Sequence, residues 1–263
     1  MVEGVLTTRA VLSLKGEDAA AFLQGLVTQD VTRAQPVFAA LLTPQGKILF
    51  DFFLVPADGG HLIDCEANAA PALLKRLVMY KLRAKVAITA EAGLAVHLGP
   101  RAGVSFADPR LASLPVRTIA PATSAAPVDG AYDALRLSLG VPEFGHDFKG
   151  EEVFLLDVNY DALNAVSYKK GCFVGQEVTS RMKRKGEIRK RTLIAKFAGA
   201  PPAKGAAVMA DANSVGEFLS GREGGGLALI RIDRLKAAEE GGAPLTVAGR
   251  EVQIAFPAYL ERG

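Results

Sequence analysis

The sequence predicts an α+β fold followed by a small all-β domain, and three observations lead there. Amphipathic helical segments alternate with apolar, strand-forming runs up to about Lys190. Beyond it, short apolar runs at 192–198, 206–209, 226–232 and 245–256 are separated by glycine-rich turns, with Ala248-Gly249 as a hairpin tip. The 263 residues are 49% apolar and 22% charged, so the chain can bury a real core and is neither disordered nor fibrous.

In order along the chain, Glu17 to Thr28 sets Ala20, Leu23, Leu26 and Val27 at helical spacing, with Glu17 and Asp18 where the helix dipole favours acids. Gln45-Gly46 marks a turn, and Lys47 to Val55 is a mostly buried strand interrupted only by Asp51. Pro71 opens a second helix, with Leu73, Leu74, Leu77 and Val78 forming the inner stripe and Lys75, Arg76 and Lys81 wet. A strand from Lys85 to Ala90 follows. The Ala/Pro-rich stretch 119–130 reads as a linker or long surface loop. A third helix over Ala131–Leu139 places Tyr132, Leu135 and Leu139 on one side and stops at Gly140.

Two cysteines, Cys65 and Cys172, lie far apart without CxxC or Cys/His ligand spacing, which excludes a disulfide framework. The three histidines, His61, His97 and His146, are too scattered for a metal cluster or triad, and no metal site is assigned. A start without a basic region followed by an apolar one, and the lack of any run long enough to span a bilayer, lead to the expectation of a cytoplasmic protein without a membrane partner. Net charge is only +3 (31 Lys+Arg against 28 Asp+Glu), so any nucleic-acid field must be local. The basic run 181–191 is such a patch. It could draw a polyglutamate, a phosphate backbone or an acidic partner, or be a solvated connector; no RNA-binding module accompanies it, and direct nucleic-acid binding is not expected.

The densest unusual segment is Lys169-Lys170-Gly171-Cys172-Phe173-Val174-Gly175-Gln176-Glu177. Its glycines permit tight turning and close approach of a partner, and its lysines favour a thiolate, so Cys172 could be nucleophile or metal ligand. Spacing alone leaves open the alternative of a buried structural cysteine.

This segment resembles the KGCxxGQE signature of the YgfZ family at Lys170, Gly171, Cys172, Gly175, Gln176 and Glu177. Leu155 to Asp161, running on to Val166-Ser167, resembles the family's approach to that motif, with Asp157 in place of a glutamate. Gly16-Glu17-Asp18, Phe22 to Gly25, Thr28-Gln29-Asp30, Thr43 to Lys47 and Tyr80 to Arg83 also match, so the resemblance spans residues 5 to 195.

The resemblance implies a fold similar to the glycine-cleavage aminomethyltransferase: a folate-binding body over residues 1–190, possibly of two subdomains, and a C-terminal β-barrel over 191–263. Tetrahydrofolate is the implied cofactor, with Asp157, Asn159 and Arg191 as its ligands. Asp157 would meet the pterin's donor edge and Arg191 the glutamyl tail. Members maintain iron-sulfur enzymes, including ones that methylthiolate tRNA, so the expected partners are iron-sulfur enzymes or cluster carriers, with Cys172 as the acting residue. The chain departs from the transferases where Leu49-Phe50 replaces an acidic pair and Asp51 falls one residue later. It also lacks tryptophan, and Arg9 aligns where one is expected near the folate. An accessory protein is therefore expected; the alternative is a folate-dependent one-carbon (aminomethyl) transferase or demethylase.

Overall fold

The computed structural model describes residues 2–184 and 188–260, which divide into two compact units. The first takes the chain up to Tyr132 together with Leu163–Gln176, and the second takes Asp133–Ala162 and the chain from Glu177 onward. Its elements are β1 (Gly4–Leu6), β2 (Arg9–Lys15), α1 (Ala19–Leu26), β3 (Val37–Leu42), β4 (Ile48–Ala57), β5 (Gly60–Glu66), α2 (Ala70–Lys81), β6 (Ala87–Ala90), β7 (Leu94–Leu98), β8 (Val104–Phe106) and β9 (Arg117–Pro121).

Two antiparallel sheets form, ordered β3-β4-β5-β2-β6 and β1-β7-β9-β8. β3, VFAALL, is buried at every position and so has both faces covered. Leu12, Leu14, Leu41, Phe52, Leu54 and Ile63 join Leu23 of α1 and Leu73 and Leu77 of α2 in one core. The predicted helix of 17–28 and the buried strand of 47–55 are thus present as α1 and β4. Val78, expected on the inner stripe of α2, instead faces out at 50% exposure. The stretch 119–130 also differs: its first three residues end β9, where Ile119 and Ala120 are buried, because pairing with β7 and β8 outweighs their weak pattern.

This unit buries a charged network. Asp64 accepts from Arg9 Nε at 2.6 Å and Arg117 Nη1 at 2.6 Å, while Asp108 accepts from Arg117 Nε at 3.1 Å and Arg110 Nη2 at 2.7 Å. Arg110 and Arg117 both donate to the Tyr132 hydroxyl, and the Arg117 guanidinium lies 4.2 Å from the Phe53 ring centroid. Burial alone would raise the Asp108 carboxyl, and the attached arginines outweigh it and hold it below its ordinary range. In such a network, removing one partner leaves an uncompensated buried charge, which is strongly destabilising. Arg9, which the resemblance set beside the folate, is a buried member of this network.

The second unit carries β10 (Lys190–Lys196), β11 (Ala207–Ala210), β12 (Asn213–Arg222), β13 (Gly225–Arg231), β14 (Leu245–Val247), β15 (Arg250–Glu251) and β16 (Gln253–Ala255) in one seven-stranded antiparallel sheet, ordered β15-β14-β11-β12-β13-β10-β16. Leu193, Val208, Phe218, Ala228, Ile230 and Val247 line its core. The hairpin tip at Ala248-Gly249 is present, with φ of 48° and 74°. Beyond Lys190, two elements do not follow from the sequence pattern. β12 is long but sparse in apolar residues, and its Phe218 and Leu219 are buried by neighbours the pattern does not show. A helix, Ile232–Gly241, contributes Leu235 and Ala238 to the core, so the region is not all-β.

The helix predicted at 131–139 spans Asp129–Ser138 (α3); Tyr132 is buried as expected, but Arg136 and Leu137 are buried in place of Leu135 and Leu139. Arg136 then organises the irregular segment after it, meeting Asp133 at 2.6 Å, Glu143 at 3.3 Å and Asp147 at 2.6 Å. That segment, 133–162, groups with the barrel strands, whereas the sequence reading assigned it to the body.

Candidate functional site

The signature loop lies in the first unit. Its residues 171–175 have no regular structure and lead into the helix Gln176–Arg184 (α4), whose first turn holds Glu177 and whose last turn holds Arg181, Lys183 and Arg184, both signs matching the helix dipole. Residues 185–187 of the basic run lie outside the described residues.

Gly175 has a local reason to be glycine. Its φ is +80°, and a Cβ there would stand 2.6 Å from the Thr43 carbonyl and 3.1 Å from Gly46 Cα. The loop is thus pressed onto the β3–β4 turn, which in the sequence stands apart as the separate motif Thr43 to Lys47. Gly171 is different: nothing lies within 4 Å of a Cβ built on it. Gln176 begins α4 after a turn in which its N–H donates to the Phe173 carbonyl at 3.2 Å.

Lys170 turns inward. Its ammonium donates to the carbonyls of Val27 at 2.6 Å and Gln29 at 3.0 Å, with the Phe173 ring centroid 5.4 Å away. Burial pushes it down from 10.5 to about 8, against a smaller opposing pull from Asp30. Its charge is therefore spent on the 27–29 backbone, which the Thr28 hydroxyl also ties to the Ala165 carbonyl at 2.6 Å. The outcome is that Cys172 is exposed on a loop held from both sides. Cys65 is the opposite case, buried in β5, with the thiol pushed up to about 12 by burial. A polar cavity of about 620 Å³ lies beside the loop, lined by Gln29, Asp30, Arg33, Asn164, Ser167 and Lys169 among others.

Asp157, Asn159 and Arg191 fall in the second unit. Asp157 Oδ2 accepts the Phe154 N–H at 3.1 Å, and the Asp157 carbonyl accepts the Thr192 hydroxyl. Asn159, at φ 60°, donates to the Thr192 carbonyl at 2.6 Å and to the Tyr259 hydroxyl at 3.2 Å, while its Oδ1 is buried with no hydrogen-bond partner. Arg191 holds Asp161 in a two-pronged pair at 2.5 and 3.0 Å and donates to the Leu156 carbonyl at 3.0 Å. Asp161 lies in the matched stretch Leu155 to Asp161, where the sequence alone assigns it no role.

Asn159 Oδ1 is an unpartnered acceptor, the complement of an N–H edge such as a pterin's, and the residue is fully buried. A glutamyl tail fits Arg191 only by taking the place of Asp161. Asp51, displaced from the transferases' acidic pair, is buried in β4 at 3% exposure. Among the described residues, no three of His, Cys, Asp and Glu gather into a metal-binding group, and no helix is long and apolar enough to cross a membrane.

Residues 189–262 match the family described as CAF17, C-terminal beta-barrel domain. The human iron-sulfur cluster assembly factor IBA57, mitochondrial, is 30% identical over 97% of this chain and 83% of its own length. The homolog of that factor from Neurospora crassa is 32% identical over 75% of this chain and 54% of its own length. In structure, the glycine cleavage system aminomethyltransferase T from Bartonella henselae superposes with a TM-score of 0.69 over 97% of this chain and 85% of that one, at 15% identity, a likeness of fold alone. The expected aminomethyltransferase-like fold with a C-terminal β-barrel is therefore present.

Two expectations change. The cytoplasmic assignment does not stand, because these relatives are named as mitochondrial; it had rested on the lack of a secretory leader and of a spanning helix, and neither separates cytosol from mitochondrial interior. The family is related to the expected YgfZ group but is a different branch: the chain belongs to the family of the iron-sulfur cluster assembly factor IBA57.

Proposed function

We propose that this protein takes part in iron-sulfur cluster assembly through Cys172, with the cluster as cargo. The observation that carries the reading is the contrast between its thiols: Cys65 is buried in the core, while Cys172 is exposed on a loop fixed by Lys170 and Gly175. One thiolate is too few for a cluster, which ordinarily takes about four protein ligands. The remaining ligands come from a partner, a cluster carrier or an iron-sulfur enzyme, and the fixed loop spares the ordering cost of presenting the sulfur.

Tetrahydrofolate enters this reading as a ligand of the second unit, with Asp157 and Asn159 toward the pterin and Arg191 toward the tail after release of Asp161. When bound it would supply one-carbon carrier chemistry. Aminomethyl transfer is not favoured, since the transferases' acidic pair is replaced by Leu49-Phe50.

The test is complementation of a strain deleted for this gene, read as the activity of its iron-sulfur enzymes. Wild type and Cys65→Ser restore activity; Cys172→Ser, folded as judged by circular dichroism, does not. Full rescue by Cys172→Ser would refute the proposal.

A further inference from the structure

Among the described residues, four large apolar side chains are markedly exposed, and three of them, Val78 at 50%, Met79 at 59% and Leu82 at 88%, fall within five positions of one helix end. Lys75, Val78 and Met79 stand at i, i+3 and i+4 of α2, which puts them on one face, and the exposed Leu82 caps the helix just beyond them. It is the face of α2 turned away from the core, because Ala70, Leu73 and Leu77 take the other side. Leu82 also follows the last turn at φ 45° and ψ −108°, a positive-φ conformation outside the left-handed helical well and costly for a non-glycine residue. An apolar side chain held out by a strained backbone is doubly unfavourable in water, and such strain gathers where a surface is used.

The charge along this stretch of the chain has one sign. From Ala67 to Ala90 there is no Asp or Glu, while Lys75, Arg76, Lys81, Arg83 and Lys85 all occur. Of these, Lys85 pairs with Glu17 at 2.8 Å. On a protein of net charge +3 this is a concentrated basic rim about an apolar stripe.

We infer that the outer face of α2, with Val78, Met79 and Leu82 as anchors, docks into an apolar groove with an acidic rim on a partner protein. Helix anchors at this spacing are the usual currency of helix-in-groove recognition, and the complementary rim steers the encounter. A lipid surface suits the stripe less well. Helices that lie in a bilayer interface expose one long apolar face, whereas α2 has 12 residues and commits its main apolar face to the core. A polynucleotide would use the cations and leave all three anchors in water.

The inference is independent of Cys172 chemistry, and its test keeps the two apart. The full chain carrying a benzophenone amino acid at Met79 is irradiated in cells, the attached protein is identified by mass spectrometry, and the purified pair is titrated. The expected result is an attached protein with an acidic surface whose binding weakens about tenfold or more in Leu82→Asp. Lys81→Glu with Arg83→Glu weakens it too and flattens its dependence on salt. Cys172→Ser binds like wild type. Leu82 is exposed, so the variant folds, as its unchanged melting would show. The idea is overturned if position 79 attaches to no protein or only to a second copy of this chain. It is equally overturned if Leu82→Asp binds the identified protein as wild type does, or if that variant instead loses binding to vesicles of phosphatidylcholine and phosphatidylserine.

Discussion

Replacing Lys170 with Met keeps most of the buried stem and removes the ammonium that pins the signature loop to residues 27–29. The drop of the ammonium from 10.5 to about 8 means that its charged form is disfavoured on folding. Undiscounted, that shift corresponds to about 3 kcal/mol. The ammonium is partly screened by nearby solvent, which brings the expected figure to ~1–2 kcal/mol. The sign follows from proton counting. Between pH about 8 and 10.5 the unfolded chain holds the proton that the folded chain has lost, so stability rises with pH across that window and is flat below it. Urea unfolding of wild type and Lys170→Met at several pH values checks this, because every other titrating group cancels in the difference. Wild type should gain ~1–2 kcal/mol on the variant from pH 7.5 to 10. A difference that stays constant or falls would refute the account of a desolvated ammonium on two carbonyls.

Gly175→Ala should destabilise by about 1–3 kcal/mol, through positive φ and a Cβ 2.6 Å from the Thr43 carbonyl, while Gly171→Ala, with open space around it, should stay within about 0.5 kcal/mol of wild type; urea midpoints for both variants check the contrast. For the folate proposal, calorimetric titration with tetrahydrofolate should show tighter binding to Asp161→Asn, by roughly 1.5–3 kcal/mol, because that change frees the Arg191 fork. Equal affinity in the two proteins, or no heat in either, would remove folate from the reading.

Much of this protein was legible before folding was considered, wherever a property is local. The periodicity of α1, the apolar run of β4, the Ala248-Gly249 tip and the glycine spacing around Cys172 each depend on residues close in sequence, and local sterics and local burial decide them. The signature also singled out Cys172, and its resemblance led to the right fold, though to a neighbouring branch of the family. What tertiary structure decided is which of those local groups meet. Lys170 looked like a cation for the thiol, but the Val27 and Gln29 carbonyls lie about 140 residues away in sequence and draw it inward. Val78 fitted the inner stripe of α2 on periodicity, which gives the spacing of a face but not its width, so only packing showed that Leu73, Leu77 and Tyr80 meet the core while Val78 does not. Arg9 was set beside the folate by resemblance, and nothing in the sequence joins it to Asp64, Asp108, Arg110 or Arg117; they become one buried network because the fold brings their guanidinium and carboxylate groups within hydrogen-bond reach. A sequence carries the chemistry of each side chain, whereas desolvation and pairing belong to the neighbours that only the fold supplies.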